Sequence, residues 1–264
     1  MPVVEIEFLF VVAGFGVGLA VGLTGIGGGA LMTPILVLGF GINAALAVGT
    51  DLVYAAVTKS GGAWVYHRRD LVRWPVVRAL LFGSIPASLA CLVVLNSMPD
   101  NGHEEGLIRL ILGLALVLSS ISLLFRGALQ RFGAALDDPV LRRRLRVSRP
   151  WLTTALGVVL GVLVTLTSVG AGALGTAFLL MLYPRMRMAK LVGTDLAHAV
   201  ILTSIAGAGH WHLGTVDFGL LLALLVGSLP GVFIGSTAGA RLPEQIVRPV
   251  VATALFLVGM QLLF

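Results

Sequence analysis

Leu23-Thr24-Gly25-Ile26-Gly27-Gly28-Gly29-Ala30-Leu31 returns later in the chain as Leu166-Thr167-Ser168-Val169-Gly170-Ala171-Gly172-Ala173-Leu174. Val48-Gly49-Thr50-Asp51-Leu52 returns unchanged as Val192-Gly193-Thr194-Asp195-Leu196, and Gly83-Ser84-Ile85-Pro86 returns as Gly227-Ser228-Leu229-Pro230. From Gly49 to Gly83 is 34 residues, and so is Gly193 to Gly227. Order, spacing and identity are kept together, so the chain contains a duplicated unit shifted by 143 to 144 residues. In a hydrophobic chain, duplication with Gly-rich interruptions is the pattern of secondary transporters.

Composition sets the solvent. Hydrophobic residues make up 58% of the 264 and charged residues only 11%, where a soluble domain carries about a quarter. The apolar runs are too long and too many for one soluble core, and the alternating pattern of about ten residues that marks a barrel strand is absent. The net charge of +6 is no nucleic-acid footprint, because the basic residues sit between apolar runs. Cys91 is the single cysteine, which excludes an internal disulfide and a cysteine-based metal site. The start, Met1 to Glu7, is acidic rather than basic, so the first apolar run reads as a retained membrane helix and not a cleavable signal.

Ten apolar segments follow: roughly 6–23, 30–40, 42–66, 75–96, 106–125, 151–167, 173–183, 188–210, 217–238 and 245–263. A helix needs about twenty residues to cross the hydrocarbon. Segments two and seven are about half that, which predicts half-helices folding back from the Gly-rich breaks before them. With the N-terminus outside, the inner loops hold Arg68, Arg69, Arg73, Arg78, Arg126, Arg131, Arg142, Arg143, Arg144, Arg146, Arg149, Arg185, Arg187, Lys190, Arg241 and Arg248, nearly all of the 18 basic residues. Arg109 alone is outside, beside Asp100, Glu104 and Glu105, and the positive-inside rule selects this orientation. Five segments per half is an odd number, so the second half enters from the opposite face. This predicts inverted repeats about an axis in the membrane plane. Gly14, Gly18 and Gly22, like Gly157 and Gly161 and Gly231, Gly235 and Gly239, fall four apart and suit close helix packing. A homodimer interface is the other use of such stripes.

Breaking a helix in lipid frees backbone groups that only protein or a water-filled cavity can satisfy. The freed N–H groups at Thr24–Gly29 and Thr167–Gly172, at the positive end of a half-helix, are suited to an anion. Thr24, Thr167 and Ser168 add hydroxyls; the competing reading is a packing kink. No GxxxxGK[ST] sequence occurs, which excludes a nucleotide-binding loop of that type. Asp51 and Asp195 both approach the bilayer middle, Asp51 about 13 Å along its helix from the outer end. An ionised carboxylate there costs about 2.5–3.5 kcal/mol, so it must be paired, hydrated or protonated. Proton handling is one reading and backbone capping the other, and the two are compatible. Lys59 breaks the symmetry, its counterpart being Thr203. It either faces the cavity as a fixed positive charge for an anion or snorkels inward. His198, the counterpart of Tyr54, follows Asp195 by three residues and meets it on one helix face; a hydrogen-bonded buried histidine is the plainer reading. His210-Trp211-His212 lacks a third ligand nearby and is a weak metal signal. Trp64, Trp74, Trp151 and Trp211 fall near segment ends, as interface anchors do.

The chain resembles the sulfite exporter TauE/SafE family of membrane permeases over nearly its whole length. The resemblance rests on Gly27-Gly28-Gly29 with Pro34, on Val48-Gly49-Thr50-Asp51-Leu52, on Thr58-Lys59-Ser60-Gly61-Gly62, on Arg69-Asp70-Leu71-Val72-Arg73-Trp74 and on Gly83-Ser84-Ile85-Pro86. It implies a bacterial-type inner-membrane protein that moves small anions, with sulfite, sulfoacetate and related sulfur-containing anions as the associated substrates. The second half departs at Ala171 and Ala177, where the first has Gly28 and Pro34, so the two breaks are not expected to be used equally.

These readings converge on an all-α polytopic membrane protein, with a first repeat over 1–125, a basic cytoplasmic linker over 126–150 and a second repeat over 151–264. The expected function is a non-enzymatic secondary transporter for a small, sulfur-containing anion, proton-coupled and working by alternating access. A passive anion channel and a permease for another organic anion are the alternatives. Substrate binding is expected at Thr24, Gly27, Gly28, Gly29, Thr50, Lys59, Thr167, Ser168, Gly170, Gly172 and Thr194. Proton coupling is expected at Asp51, Asp195 and His198. No cofactor, metal or nucleic acid is expected, and both termini are expected on the periplasmic side of the inner membrane.

Overall fold

The computed structural model describes residues 3–24, 29–97, 103–125, 127–128, 130–131, 139–170, 172–239 and 244–264. Among these residues the protein is helical, without strands. The helices are α1 (Val3–Thr24), α2 (Gly29–Pro34), α3 (Ala44–Arg68), α4 (Trp74–Ser97), α5 (His103–Leu124), α6 (Pro139–Thr167), α7 (Ala173–Leu182), α8 (Met188–His212), α9 (Phe218–Gly239) and α10 (Glu244–Leu263). Five stretches among the described residues are long and apolar enough to cross a membrane: α4, Gly106–Leu124 of α5, Arg149–Thr167 of α6, α8 and Phe218–Gly235 of α9. The long apolar side chains left exposed, among them Phe82, Val93, Leu222, Phe233 and Leu257, match a lipid solvent. Trp64, Trp151 and Trp211 are more than half exposed.

The two short elements appear where the segment lengths place them. α7 is a regular helix of 10 residues, about 15 Å long and so about half of the hydrocarbon thickness. Its counterpart differs. α2 ends at Pro34 and continues as a π-helical turn over Ile35–Gly39. Proline removes the N–H that would close the next α-turn, and the wider turn accommodates this. Ala177 stands at the equivalent place in α7 and leaves that helix regular. α6 begins at Pro139 rather than near residue 151, so the part of the expected linker from Pro139 onward is helical.

The two halves are interlocked. The first helix of each half packs along the fourth helix of the other: α1 on α9 and α6 on α4. The third helices, α3 and α8, pack on one another, as do the fifth helices, α5 and α10. Glycine makes these approaches possible. A Cβ on Gly83 would strike the Thr154 carbonyl oxygen, and one on Gly227 would strike that of Val11. One on Gly157 would strike Leu80, and one on Gly14 would strike Leu224. Each pair maps onto the other under the repeat shift. Such reciprocal contacts, i with j and j with i, are what a two-fold relation generates.

Adding a side chain at either member of a glycine pair should therefore have the same consequence. Gly83→Val and Gly227→Val are each expected to destabilise the protein by about 1–3 kcal/mol or to prevent folding. Gly16→Val, whose Cβ would meet nothing within 4 Å, is expected to be neutral. Thermal unfolding in detergent checks all three.

Candidate functional site

α3 and α8 pack antiparallel in the interior, Gly49 against His210 and Gly62 against Leu196, so that Asp51 and Asp195 lie toward opposite ends of the seam. Asp51 is fully buried and Asp195 is 2% exposed. Thr33 of α2 donates to Asp51 Oδ2 at 2.5 Å. Thr176 of α7 donates to Asp195 Oδ2 at 2.8 Å. Thr33 and Thr176 occupy equivalent repeat positions, so each half-helix is docked onto its long helix by the same hydroxyl–carboxylate bond. Such bonds to an ionised acceptor are stronger than those between neutral groups. The remaining oxygens, Asp51 Oδ1 and Asp195 Oδ1, are buried without a hydrogen bond inside the protein. Buried carboxylate oxygens in that condition require a cause beyond packing. Asp195 Oδ1 lies against Gly175, where no Cβ would fit; the first half has buried Met32 at that position.

Lys59 lies two turns beyond Asp51 on α3 and is 5% exposed. It does not snorkel. It interacts electrostatically with both Asp51 and Asp195 and with His198. Carboxylates from both halves thus act on one ammonium through space. His198 Nε2 is 3.0 Å from Ser84 Oγ of α4, and its Nδ1 is buried without a partner. Tyr54 sits at the equivalent place on α3 with its hydroxyl toward Ser228 of α9. The positions His198–Ser84 and Tyr54–Ser228 are again exchanged between the halves, but the Tyr54 hydroxyl makes no hydrogen bond and Ser228 donates to the Leu225 carbonyl.

The second break shows how the freed backbone is handled. Thr167 donates to the Leu163 carbonyl at 2.5 Å and accepts from the Val169 N–H at 3.1 Å, so its hydroxyl caps the break internally. Ser168 holds φ at 56° and Gly170 and Gly172 at 116° and 131°. The left-handed conformation is disfavoured for a serine. Here it lays the Ser168 hydroxyl against the Asp51 carboxylate, though without a hydrogen bond of good geometry. The second break therefore reaches the aspartate of the first half. Gly172 precedes α7 without a side-chain cap, and the Gly175 N–H of its first turn is taken by the Gly170 carbonyl at 2.9 Å. Gly27 and Gly28 of the first break lie outside the described residues. Thr24 ends α1 and Gly29 begins α2 on either side of them.

The hydroxyls of Thr50 and Thr194 hold loops of the other half. Thr50 Oγ1 accepts from the Asp217 N–H at 3.0 Å, and Thr194 Oγ1 accepts from the Arg73 N–H at 3.0 Å. Each ties its helix to the loop between the third and fourth helices of the other half. His210 is buried, its Nε2–H donating to the Thr165 carbonyl at 3.0 Å and its Nδ1 meeting the Thr215 hydroxyl at 2.8 Å. A mostly apolar cavity of about 420 Å³ runs along the α3–α8 seam, with Ser60, Thr203 and Ser204 among its lining residues.

Thr33, Thr176, Ser84 and Ser228 were not among the expected site residues. The signal for them was the repeat itself: each pair is a hydroxyl retained at equivalent positions on either side of the duplication.

Removing the shared cation should be severe. Lys59→Ala leaves two buried carboxylates without their counter-charge and is expected to destabilise by about 3–5 kcal/mol. The double variant Lys59→Ala/Asp51→Asn should recover much of that loss. Thermal unfolding of the two variants and the wild type in detergent measures the non-additivity, and strict additivity would show that the two side chains do not interact.

The comparisons with known proteins agree with this architecture. The family described as "Sulfite exporter TauE/SafE" matches residues 10–262. The "Probable membrane transporter protein YjnA" of Bacillus subtilis (strain 168) is 37% identical over 264 residues, covering 96% of this chain and 98% of that one. The "Probable membrane transporter protein YdhB" of the same organism is 25% identical over 258 residues, covering 97% and 100%. No solved structure matches. With a family match from residue 10 to residue 262 over a multi-pass helical scaffold, the chain belongs to the sulfite exporter TauE/SafE family of membrane transporters.

Proposed function

We propose that this protein is a proton-coupled secondary transporter for a small sulfur-containing anion such as sulfite or sulfoacetate. It would work by alternating access between inverted repeats in the cell inner membrane, with both termini periplasmic. The observation that carries the reading is the set of buried ionisable groups along the α3–α8 seam, Asp51, Lys59, Asp195 and His198. Lys59 stands between the two carboxylates and feels the charge of both. With all three ionised, the cluster carries one negative charge in excess, and an incoming anion would meet net repulsion. A proton arriving on a carboxylate removes that excess and leaves Lys59 to attract the substrate. Anion and proton are thereby obliged to travel together.

The remaining expected residues fit around this core. The α7 N-terminus after Gly172 carries the positive end of the helix dipole, although the Gly170 carbonyl already takes the Gly175 N–H. Ser168 supplies an unpartnered hydroxyl at the Asp51 carboxylate. The first break, Thr24 to Gly29, is the counterpart of this stretch in sequence. Thr50, Thr167 and Thr194 hold the backbone around the site. The reciprocal contacts between halves support a rocking motion of one repeat against the other, and the distribution of basic loops supports the orientation.

Reconstitution into liposomes tests this directly. Sulfite flux is expected to saturate and to follow an imposed pH gradient. Lys59→Ala should abolish saturable binding, and Asp51→Asn should leave any residual flux indifferent to the gradient. Wild-type flux that ignores the gradient would sink proton coupling; an unchanged affinity in Lys59→Ala would remove that residue from the anion site.

A further inference from the structure

The loop between α3 and α4 and the loop between α7 and α8 enclose a recess of about 450 Å³ lined by Val72, Arg73, Trp74, Pro75, Arg185, Met186, Arg187 and Lys190. Four cations thus converge on one concavity, one from the first half and three from the second. A fifth stands beside it. The Arg73 and Arg149 guanidiniums each lie 6.0 Å from the ring centre of Tyr183, whose hydroxyl is 2.8 Å from that of Thr153. Asp70 belongs to the first loop but is not part of the recess wall.

The duplication provides an internal control. The equivalent mouth at the other end of the molecule has Asp217 for Arg73, Phe218 for Trp74, Asn43 for Arg187, Leu46 for Lys190 and Phe40 for Tyr183. It carries no cation at these positions and one acid. The backbone frame is nonetheless the same at both ends: Thr194 accepts from the Arg73 N–H as Thr50 accepts from the Asp217 N–H. Basic loops on one side are ordinary for topology. That rule does not require the charges to share a recess, nor the recess to be joined to the core. Here Thr194 also donates to the Lys190 carbonyl at 2.6 Å, so two residues of the recess wall are bonded to the neighbour of Asp195.

We infer that this recess, between the α3–α4 and α7–α8 loops, is an oxyanion-collecting site at one mouth of the transport path, an inference that rests on the anion-transporter reading above. A concave cluster of one sign raises the local concentration of the opposite ion and its rate of arrival. Arginine suits tetrahedral and pyramidal oxyanions because its fork donates two parallel hydrogen bonds. The neutral-to-acidic mouth opposite lacks that attraction. The two mouths therefore differ in affinity, with the anion loaded preferentially from the basic face and released more readily at the other. Sulfonate, sulfite and phosphate groups share the required chemistry, whether free in solution or carried on a lipid headgroup.

The variant Arg185→Gln/Arg187→Gln/Lys190→Gln tests the inference, with Arg73 retained because its backbone forms the tether. In phosphatidylcholine vesicles the KM for sulfite presented at the basic face should rise on the order of tenfold, with kcat and the opposite-face KM unchanged. The difference should shrink at high ionic strength. Arg185→Lys/Arg187→Lys keeps the charge but not the fork and should give a KM between the wild type and the neutralised variant, with thermal unfolding in detergent as the control for folding. A second readout is independent of transport: with Trp64, Trp151 and Trp211 replaced by phenylalanine, Trp74 in the recess wall reports on the local anion concentration. Iodide quenching of Trp74 in uncharged detergent should fall severalfold in the neutralised variant and on adding sulfate, whereas acrylamide quenching should not. If iodide quenching and KM at both faces are unchanged, the inference is overturned. A KM effect that appears only when phosphatidylglycerol is present assigns the recess to lipid and overturns the free-anion site. If the wild type moves no sulfite, the proposed substrate fails, and the quenching arm alone decides the recess.

Discussion

Hydrocarbon offers no hydrogen bonds, and that deficit organises this molecule. Each interruption of a helix and each buried carboxylate must be answered by another part of the chain. Thr167 answers the break in the second half by bonding Leu163 and Val169. Thr33 and Thr176 answer half of each carboxylate, and Lys59 answers the charge of both. Among the described residues, the buried side-chain atoms left over are Asp51 Oδ1, Tyr54 Oη, Ser168 Oγ, Asp195 Oδ1 and His198 Nδ1, with the hydroxyls of Ser119 and Ser120 on α5. Four of the first five stand on α3 and α8, and the fifth, Ser168, lies against Asp51.

The duplication makes departures from symmetry informative, because the backbone frame is held constant while the side chain changes. Lys59 against Thr203 puts a single cation on the seam between two acids. Met32 against Gly175 means that the two aspartates do not have the same surroundings. Pro34 against Ala177 turns one half-helix into an α–π hybrid and leaves the other regular. Arg73 against Asp217 gives opposite charge to two loops held by the same tether. The shared features build the bundle, and the differences give it chemistry and direction.

Much of this was legible before any coordinates. Glycine-rich breaks followed by apolar runs of about eleven residues could form only half-helices, and the short elements lie there. Asp51 and Asp195 stood out because charge in the middle of a long apolar segment is costly. The partners of those charges were not legible. Thr33 and Asp51 are separated by 18 residues and Thr176 and Asp195 by 19, across a break whose folding angle has no local code. The hydroxyls of Thr50 and Thr194, beside the aspartates, hold loops 167 and 121 residues away. Helix periodicity places a side chain on a face; it does not say which distant loop will cover that face. The π-helical turn had a visible cause in Pro34, but proline also permits a plain kink, and tertiary packing selects between them.

The tethers carry the argument one step further. In the transporter reading, opening one mouth requires the loop at that end to move relative to the long helix beneath it. Here the Thr50–Asp217 and Thr194–Arg73 bonds are both formed, so neither loop has left its helix. Each bond joins a loop of one half to the residue beside the aspartate of the other. Lifting either loop therefore disturbs a carboxylate that its own half does not contain. Equivalent bonds at both ends make the two openings comparable in cost, as a carrier that must visit both states needs. Loop and aspartate are then joined through one residue, and by linkage whatever shifts the loop would act on the carboxylate and the reverse.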